Sequence, residues 1–366
     1  MTNEIVIIGS GMSGCGASHR LRTEGLTSTM YDMGSMPGGH TKTFEFEGGW
    51  IFDDGPHVSY TTVPRLQELF AENIGGDYNK VDTYVNNHWQ GHWIKHPAQI
   101  HLNGLPTDLV TECIVDFVEA SRDADPAISN YEDWLRAAFG DTFAETFPMV
   151  YTRKVHTTEA SNLTTDWLGP RFYRPSLEEV ISGAVAPAAK DVHYIKDFRY
   201  PNGGGFVSYI APFHAEANLH MNHKVVAIDP DEKVVTFESG KQVPYGHLIS
   251  SMPLPEIIPR IVGVPADVQA ACDSLAATTI VMVNIGIDKD NFSDATWTYY
   301  YDEDICVTRT SQPHRMSPST VPPGCGSIQA EIYFSDKYKP LTVEPESLID
   351  EAIGDLRRCG LIPENA

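Results

Sequence analysis

The first apolar run of the chain is short and entirely β-branched: Ile5-Val6-Ile7-Ile8. A run of this kind, without alternation, predicts a strand buried on both faces. Residues 15–22 read as a helix that Gly25 stops, and 27–31 as a second strand. Alternation over 43–52 predicts a hairpin around Glu47-Gly48-Gly49. Pro64 opens a helix over 64–74, with Leu66, Leu69 and Phe70 on one face. From 78 to 100, Val81, Tyr84, Trp89, Trp93 and Ile94 alternate with polar residues and predict short strands. Amphipathic helices are expected at 109–121 and 131–138, and a hairpin over 222–237 turns at Asp231-Glu232. After a strand over 247–253 and a helix over 269–275, alternation predicts strands at 280–287, 296–301, 305–309 and 327–334.

At 366 residues the chain has length for about two domains. No linker, low-complexity tract or internal repeat divides it. It is 42% apolar, enough for a large core. With 26 basic against 49 acidic residues the net charge is −23, which repels nucleic-acid phosphates and anionic lipid. No apolar run reaches the ~18–20 residues of a membrane span, and Ile5–Ile8, preceded by Glu4, is too short for a signal-peptide core. The six cysteines (15, 113, 272, 306, 325 and 359) are scattered, which suits reduced thiols in a cytoplasmic protein.

Between the first strand and its helix stands Gly9-Ser10-Gly11-Met12-Ser13-Gly14. Asp32 closes the second strand, 18 residues after Gly14. Strand, G-x-G-x-x-G, helix, strand, acid is a dinucleotide fingerprint. Gly9 permits the tight turn. Gly11 lets the amides of Met12 and Ser13 approach a pyrophosphate at the positive end of the helix, and Gly14 lets that helix pack close. Asp32 can accept hydrogen bonds from a ribose.

Residues 32–43, with Asp32-Met33 and then Gly38-Gly39-His40, resemble the second FAD motif of the amine-oxidase and protoporphyrinogen-oxidase superfamily. His40 stands where many members carry arginine. Asp53-Asp54-Gly55-Pro56-His57 is similar to the family's D-x-G-P-H segment, and UDP-galactopyranose mutases have a comparable stretch. Later segments (131–141, 151–156, 163–171, 198–206 and 222–253) look like family elements as well. The resemblance implies an α/β fold. A Rossmann-like (GR2-type) FAD-binding domain at 1–78 and 200–258 would be interleaved with an α+β substrate domain at 79–199 and 259–366 carrying a mixed or antiparallel sheet. It implies non-covalent FAD, with Gly55, Pro56 and His57 near the flavin ring and the Val225 backbone at the adenine edge.

Three functions are open. The first is an FAD-dependent oxidoreductase whose flavin N5 accepts hydride from a small organic substrate. The second is a non-redox flavoenzyme like UDP-galactopyranose mutase, acting on a nucleotide sugar. The third is an FAD-binding subunit that needs a partner chain. The third reading follows from the absence, after residue 340, of the C-terminal flavin-contacting segment expected of the family; a partner chain would supply it. Catalytic candidates are His57, Arg309 and Glu331. Trp297, Tyr299, Tyr300 and Tyr301 alternate faces, half for the core and half for a pocket. Arg153, Lys154, Arg171 and Arg174 either contact an anionic ligand or pair with this chain's carboxylates. His88, His92, His96 and His101 read as surface or substrate-lining residues, because strand spacing does not assemble them into a metal set.

Overall fold

A computed structural model describes residues 4–169, 173–187 and 195–363. The chain divides into two compact units, Met1–Asn79 with Tyr200–Ala276, and Lys80–Arg199 with Ala277–Ala366.

In the first unit, β1 (Ile5–Ile8) lies inside a four-stranded parallel sheet. Its neighbours are His247–Ser250 on one side and β2 (Ser28–Tyr31) on the other, and Asn218–His220 forms the far edge. Val6 and Ile7 are fully buried, which is why the run carries no polar position. The helix α1 (Met12–Thr23) ends at Glu24, and Gly25 takes φ +74° just beyond it. An antiparallel sheet of Val225–Asp229, Val234–Phe237 and Gln242–Pro244 packs Val225, Val235, Phe237 and Val243 against Val6, Ile8 and Tyr31. The hairpin β3 (Thr43–Phe46) and β4 (Trp50–Asp53) turns through Gly48 and Gly49, both at φ +89°. Residues 259–276, expected in the substrate domain, cluster with this first unit instead. The cause is backbone pairing: Ile261 bridges Ile228 in parallel, and Val262 N–H donates to the Ile228 carbonyl.

The second unit is built on a six-stranded mixed sheet. Its strand order is Thr278–Ile287, Gly326–Ser335, Arg309–Ser311, Trp297–Tyr300, Val85–Trp89 and His92–Lys95. Only the Trp297–Tyr300 and Val85–Trp89 pair runs parallel. Gly326–Ser335 is buried along its whole length. Helices cover one face around Leu135, Phe139, Phe143 and Phe147. The helix Leu348–Arg358 packs Ala352 and Leu356 with Ile328, Ala330 and Ile332 in a second core. The strand expected at 305–309 is displaced to Arg309–Ser311, with Thr308 bonding the Glu331 carbonyl and the Tyr300 amide just ahead of it. Before it, Cys306 N–H donates to the Asp355 side chain and the Val307 carbonyl accepts from Lys154, so these two groups are not available to a ladder.

Candidate functional site

The glycine motifs converge in the first unit. A Cβ on Gly14 would lie 1.9 Å from the Gly9 carbonyl oxygen, so only glycine lets α1 start this close to β1. Gly9 itself has φ +98°, with Ser251 Oγ 2.2 Å from where a Cβ would be. Gly38 and Gly39 come up to Gly11, and a Cβ on Gly39 would sit 3.1 Å from the Gly11 Cα. Two backbone segments distant in sequence thus form one side-chain-free cradle. Gly11 caps α1 without a side-chain bond, and the amides of the first turn, Met12 to Gly14, have no intrahelical acceptor. This surface fits a pyrophosphate at a helix N-terminus.

Asp32 stands beside the cradle, half-buried, while Met33 is exposed. Asp32 Oδ2 accepts from Ser10 N and Ser10 Oγ, both at 2.7 Å, and Oδ1 accepts from Gly34 N at 2.7 Å. Burial alone would raise its carboxyl pKa. The bonds from Gly34 and Ser10 and the Lys42 charge outweigh burial and hold it below the ordinary value. Ser10 and Lys42 were not singled out in the sequence, and a serine inside a glycine motif carries no signal of its own. His40 is exposed, 3.6 Å from Asp54. Val225 is buried, and its carbonyl accepts from Arg260 Nε at 3.1 Å.

A second cluster forms around Asp53. Its buried carboxylate accepts from Thr43 Oγ1 (2.6 Å), Tyr200 OH (2.6 Å) and Phe206 N (3.0 Å). Burial raises its pKa, with the three hydrogen bonds and His57 opposing. These bonds fasten the 200–206 turn to the hairpin. Gly205, at φ +70°, leaves room for them, since a Cβ there would be 2.3 Å from Thr43 Cγ2. Beyond Gly55 and Pro56, the His57 ring packs 5.4 Å from Phe206, and Nδ1 donates to the Gly55 carbonyl at 2.8 Å. That bond leaves Nε2 as an acceptor.

The second unit holds a cavity of about 690 Å³. Tyr131, Tyr151, Tyr299 and Tyr301 line it with Phe139, Phe143, Phe147 and Trp167, and His96, His156 and Arg309 add polar atoms. Arg309 Nε donates to the fully buried Glu331 at 2.8 Å, and Tyr333 OH donates to the other carboxylate oxygen at 2.6 Å. Burial works against the guanidinium charge, yet Glu331 and the neighbouring tyrosine oxygens outweigh it and keep Arg309 charged. Burial also raises the tyrosine pKa values, so these hydroxyls stay protonated donors. It lowers that of His156, which stays neutral. Arg309 and Glu331 are thus brought together, whereas His57 belongs to the other unit. Tyr299 and Tyr301 line the cavity and Tyr300 turns into the opposite core, as the alternation implies.

The cation cluster resolves toward internal pairing. Arg153 pairs with Glu303 and Glu159, and Arg174 donates to the Ala137 carbonyl and lies 6.0 Å from the Trp134 ring centroid. Arg171 lies outside the described residues. Lys154 donates to the carbonyls of Asp302 (2.8 Å) and Val307 (2.9 Å), and burial pushes its pKa down to about 8. Its ordinary value is 10.5. Between these two values the unfolded chain binds more protons than the folded one, so Lys154 adds stability as pH rises through that window. The melting temperature of wild type should therefore gain on that of Lys154→Met from pH 8 to 10, as read by calorimetry. A pH-independent difference would refute this assignment.

Two of the four histidines are not surface residues: His88 and His101 are only 3% and 6% exposed. His88, inside the strand Val85–Trp89, is held by Asp302 at 2.8 Å from its Nδ1, and His101 Nδ1 donates to the Pro97 carbonyl, so each buried ring has a local polar partner. His96 lines the cavity and His92 stacks on Trp89. Elsewhere Cys306, Glu351 and Asp355 place ligand-type atoms within 4.8 Å of one another, but Asp355 already serves Cys306 N–H and Arg358. Among the described residues no helix is long and apolar enough to cross a membrane.

Residues 7–73 match the family of NAD(P)-binding Rossmann-like domains. The phytoene desaturase (neurosporene-forming) of Rhodobacter capsulatus is 41% identical over 76 residues, 20% of this chain and 14% of that protein. The match thus spans about one seventh of that relative. A reduced UDP-galactopyranose mutase structure superposes with a TM-score of 0.91 at 25% identity, covering 99% of this chain and 81% of its own. A protein assigned as protoporphyrinogen oxidase from Exiguobacterium sp. 255-15 gives 0.75 at 14% identity, covering 100% and 84%. Putrescine oxidase bound to putrescine gives 0.63 at 15%, covering 100% and 82%. The last two likenesses concern the fold alone. With its Rossmann-like unit and its mixed sheet, the chain shares the α/β fold of these neighbours.

Proposed function

We propose that the chain is an FAD-dependent oxidoreductase that holds its flavin non-covalently and accepts hydride from a small organic substrate. The observation that carries this reading is the single cradle formed by Gly9–Gly14, Asp32 and Gly38-Gly39. When bound, the flavin supplies a hydride acceptor at N5. The chain supplies binding and orientation. The first-turn amides of α1 would hold the pyrophosphate, and Asp32 would accept from a ribose hydroxyl through its less occupied Oδ1. Gly38 and Gly39 would admit the chain of the cofactor past bare backbone, and the Val225 backbone would meet adenine. His57, in its neutral form, would offer Nε2 as an acceptor toward the flavin ring. Burial and the Asp32 charge push the Cys15 thiol up to about 12, which argues against a thioether link there. The aromatic cavity would offer apolar walls to the substrate, and Arg309, braced by Glu331, would orient an electron-rich group of it. All six cysteines are free, which suits the cytoplasm.

The likeness to UDP-galactopyranose mutase supports a second reading, a non-redox reaction on a nucleotide sugar with reduced flavin. Here the terminal nitrogens of Arg309 would meet phosphate. One assay separates the two. Oxidised enzyme is offered amines and polyenes while flavin bleaching is followed under nitrogen, and dithionite-reduced enzyme is offered UDP-galactose. Bleaching by an organic substrate supports the oxidoreductase, and isomerisation only after reduction supports the mutase. Bound FAD with neither reaction favours a subunit that works with a partner chain.

A further inference from the structure

We propose that Ser10 is the positioning residue of the dinucleotide site, tying its three FAD-holding segments into one unit. This proposal rests on the FAD reading above and deepens it. Ser10 is fully buried and makes a bond with every atom it can use. Its amide and its hydroxyl both donate to Asp32 Oδ2 at 2.7 Å. The same hydroxyl accepts from Gly38 N at 3.4 Å. Its carbonyl accepts from His214 Nε2 at 2.9 Å and from Cys15 Sγ at 3.3 Å. One side chain and its peptide therefore join the glycine loop, the ribose-binding acid, the Gly38-Gly39 segment and the helix Ala211–Glu216.

The consequence for the acid is specific. With Oδ2 occupied twice and Oδ1 once, the Asp32 carboxylate has a fixed orientation and offers its remaining capacity through Oδ1. A hydrogen-bonded carboxylate remains ionised at lower pH, and the ionised form is the stronger acceptor for a ribose hydroxyl at that remaining site. The other titratable groups facing Asp32 are Lys42, which favours its charge, and His214 and Cys15, each of which it influences.

The test is FAD titration of apoprotein, followed by flavin fluorescence quenching across pH 4 to 8, for wild type, Ser10→Ala and His214→Gln. Removing one hydrogen bond to a charged group predicts that S10A binds FAD at least about tenfold more weakly. The acid limb of its affinity should also move to higher pH. H214Q retains a donor for the Ser10 carbonyl, so it should bind close to wild type. The upward displacement should recur in the S10A/H214Q double variant, where no imidazole faces the carboxylate. An S10A protein with wild-type affinity overturns the proposal, as does one weakened equally at every pH, because loss of packing alone would do that. A wild-type chain that takes up no FAD overturns the parent reading as well, so the two failures are distinguishable.

Discussion

Gly14→Ala is expected to abolish flavin uptake and lower the melting temperature by roughly 5 °C. The added methyl would lie 1.9 Å from the carbonyl oxygen of Gly9 and 3.0 Å from its carbonyl carbon, both rigid backbone. Neither can yield alone, so α1 must move off β1. Forced overpacking of this kind costs about 1–3 kcal/mol. The displacement also carries the first-turn amides away from the pyrophosphate, and binding at a helix N-terminus depends on that approach. Gly16→Ala is the control: nothing lies within 4 Å of its would-be Cβ. It should bind FAD normally and gain slightly in stability, since alanine favours a helix. Paired FAD titration and calorimetry check both variants. If G14A bound FAD as wild type does, the cradle would not be the flavin site.

The second large effect is expected at the Arg309–Glu331 pair. Arg309→Met leaves Glu331, fully buried, with its charge opposed only by the Tyr333 hydroxyl. Breaking a buried pair from one side typically costs 3–5 kcal/mol, whereas replacing both members with apolar residues is often neutral. R309M should therefore lose turnover and melt much earlier, and R309M/E331L should regain the stability but not the turnover. Arg309→Lys should remain inactive, because an ammonium lacks the fork that uses one nitrogen for Glu331 and keeps others for substrate. An active double variant would remove Arg309 from the reaction and reduce the pair to a structural tie.

What the sequence made legible depended on how local each signal was. The run Ile5–Ile8, the three glycines after it and Asp32 lie within 28 residues, and each has a role a neighbour can explain. Ser10 and Asp53 were opaque because their partners are distant: Ser10 answers to Asp32, Gly38 and His214, and Asp53 to Tyr200 and Phe206, about 150 residues on. The helix Leu177–Val185 is not among the elements expected from the sequence, and Gly183 sits inside it. That glycine is a contact point, where a Cβ would meet the Ile100 carbonyl oxygen at 1.9 Å. The cavity could not be read at all, since its wall joins helices from 131–156 to a strand near 299. Only the face assignment of Tyr299 and Tyr300 could be inferred, because strand alternation is local.

The most direct test of the account is the visible absorbance spectrum of the purified protein, incubated with FAD, desalted, and recorded before and after heat denaturation. The native protein should show the two flavin bands and release its FAD in full into the filtrate on heating. A protein that stays colourless after incubation with excess FAD would contradict it.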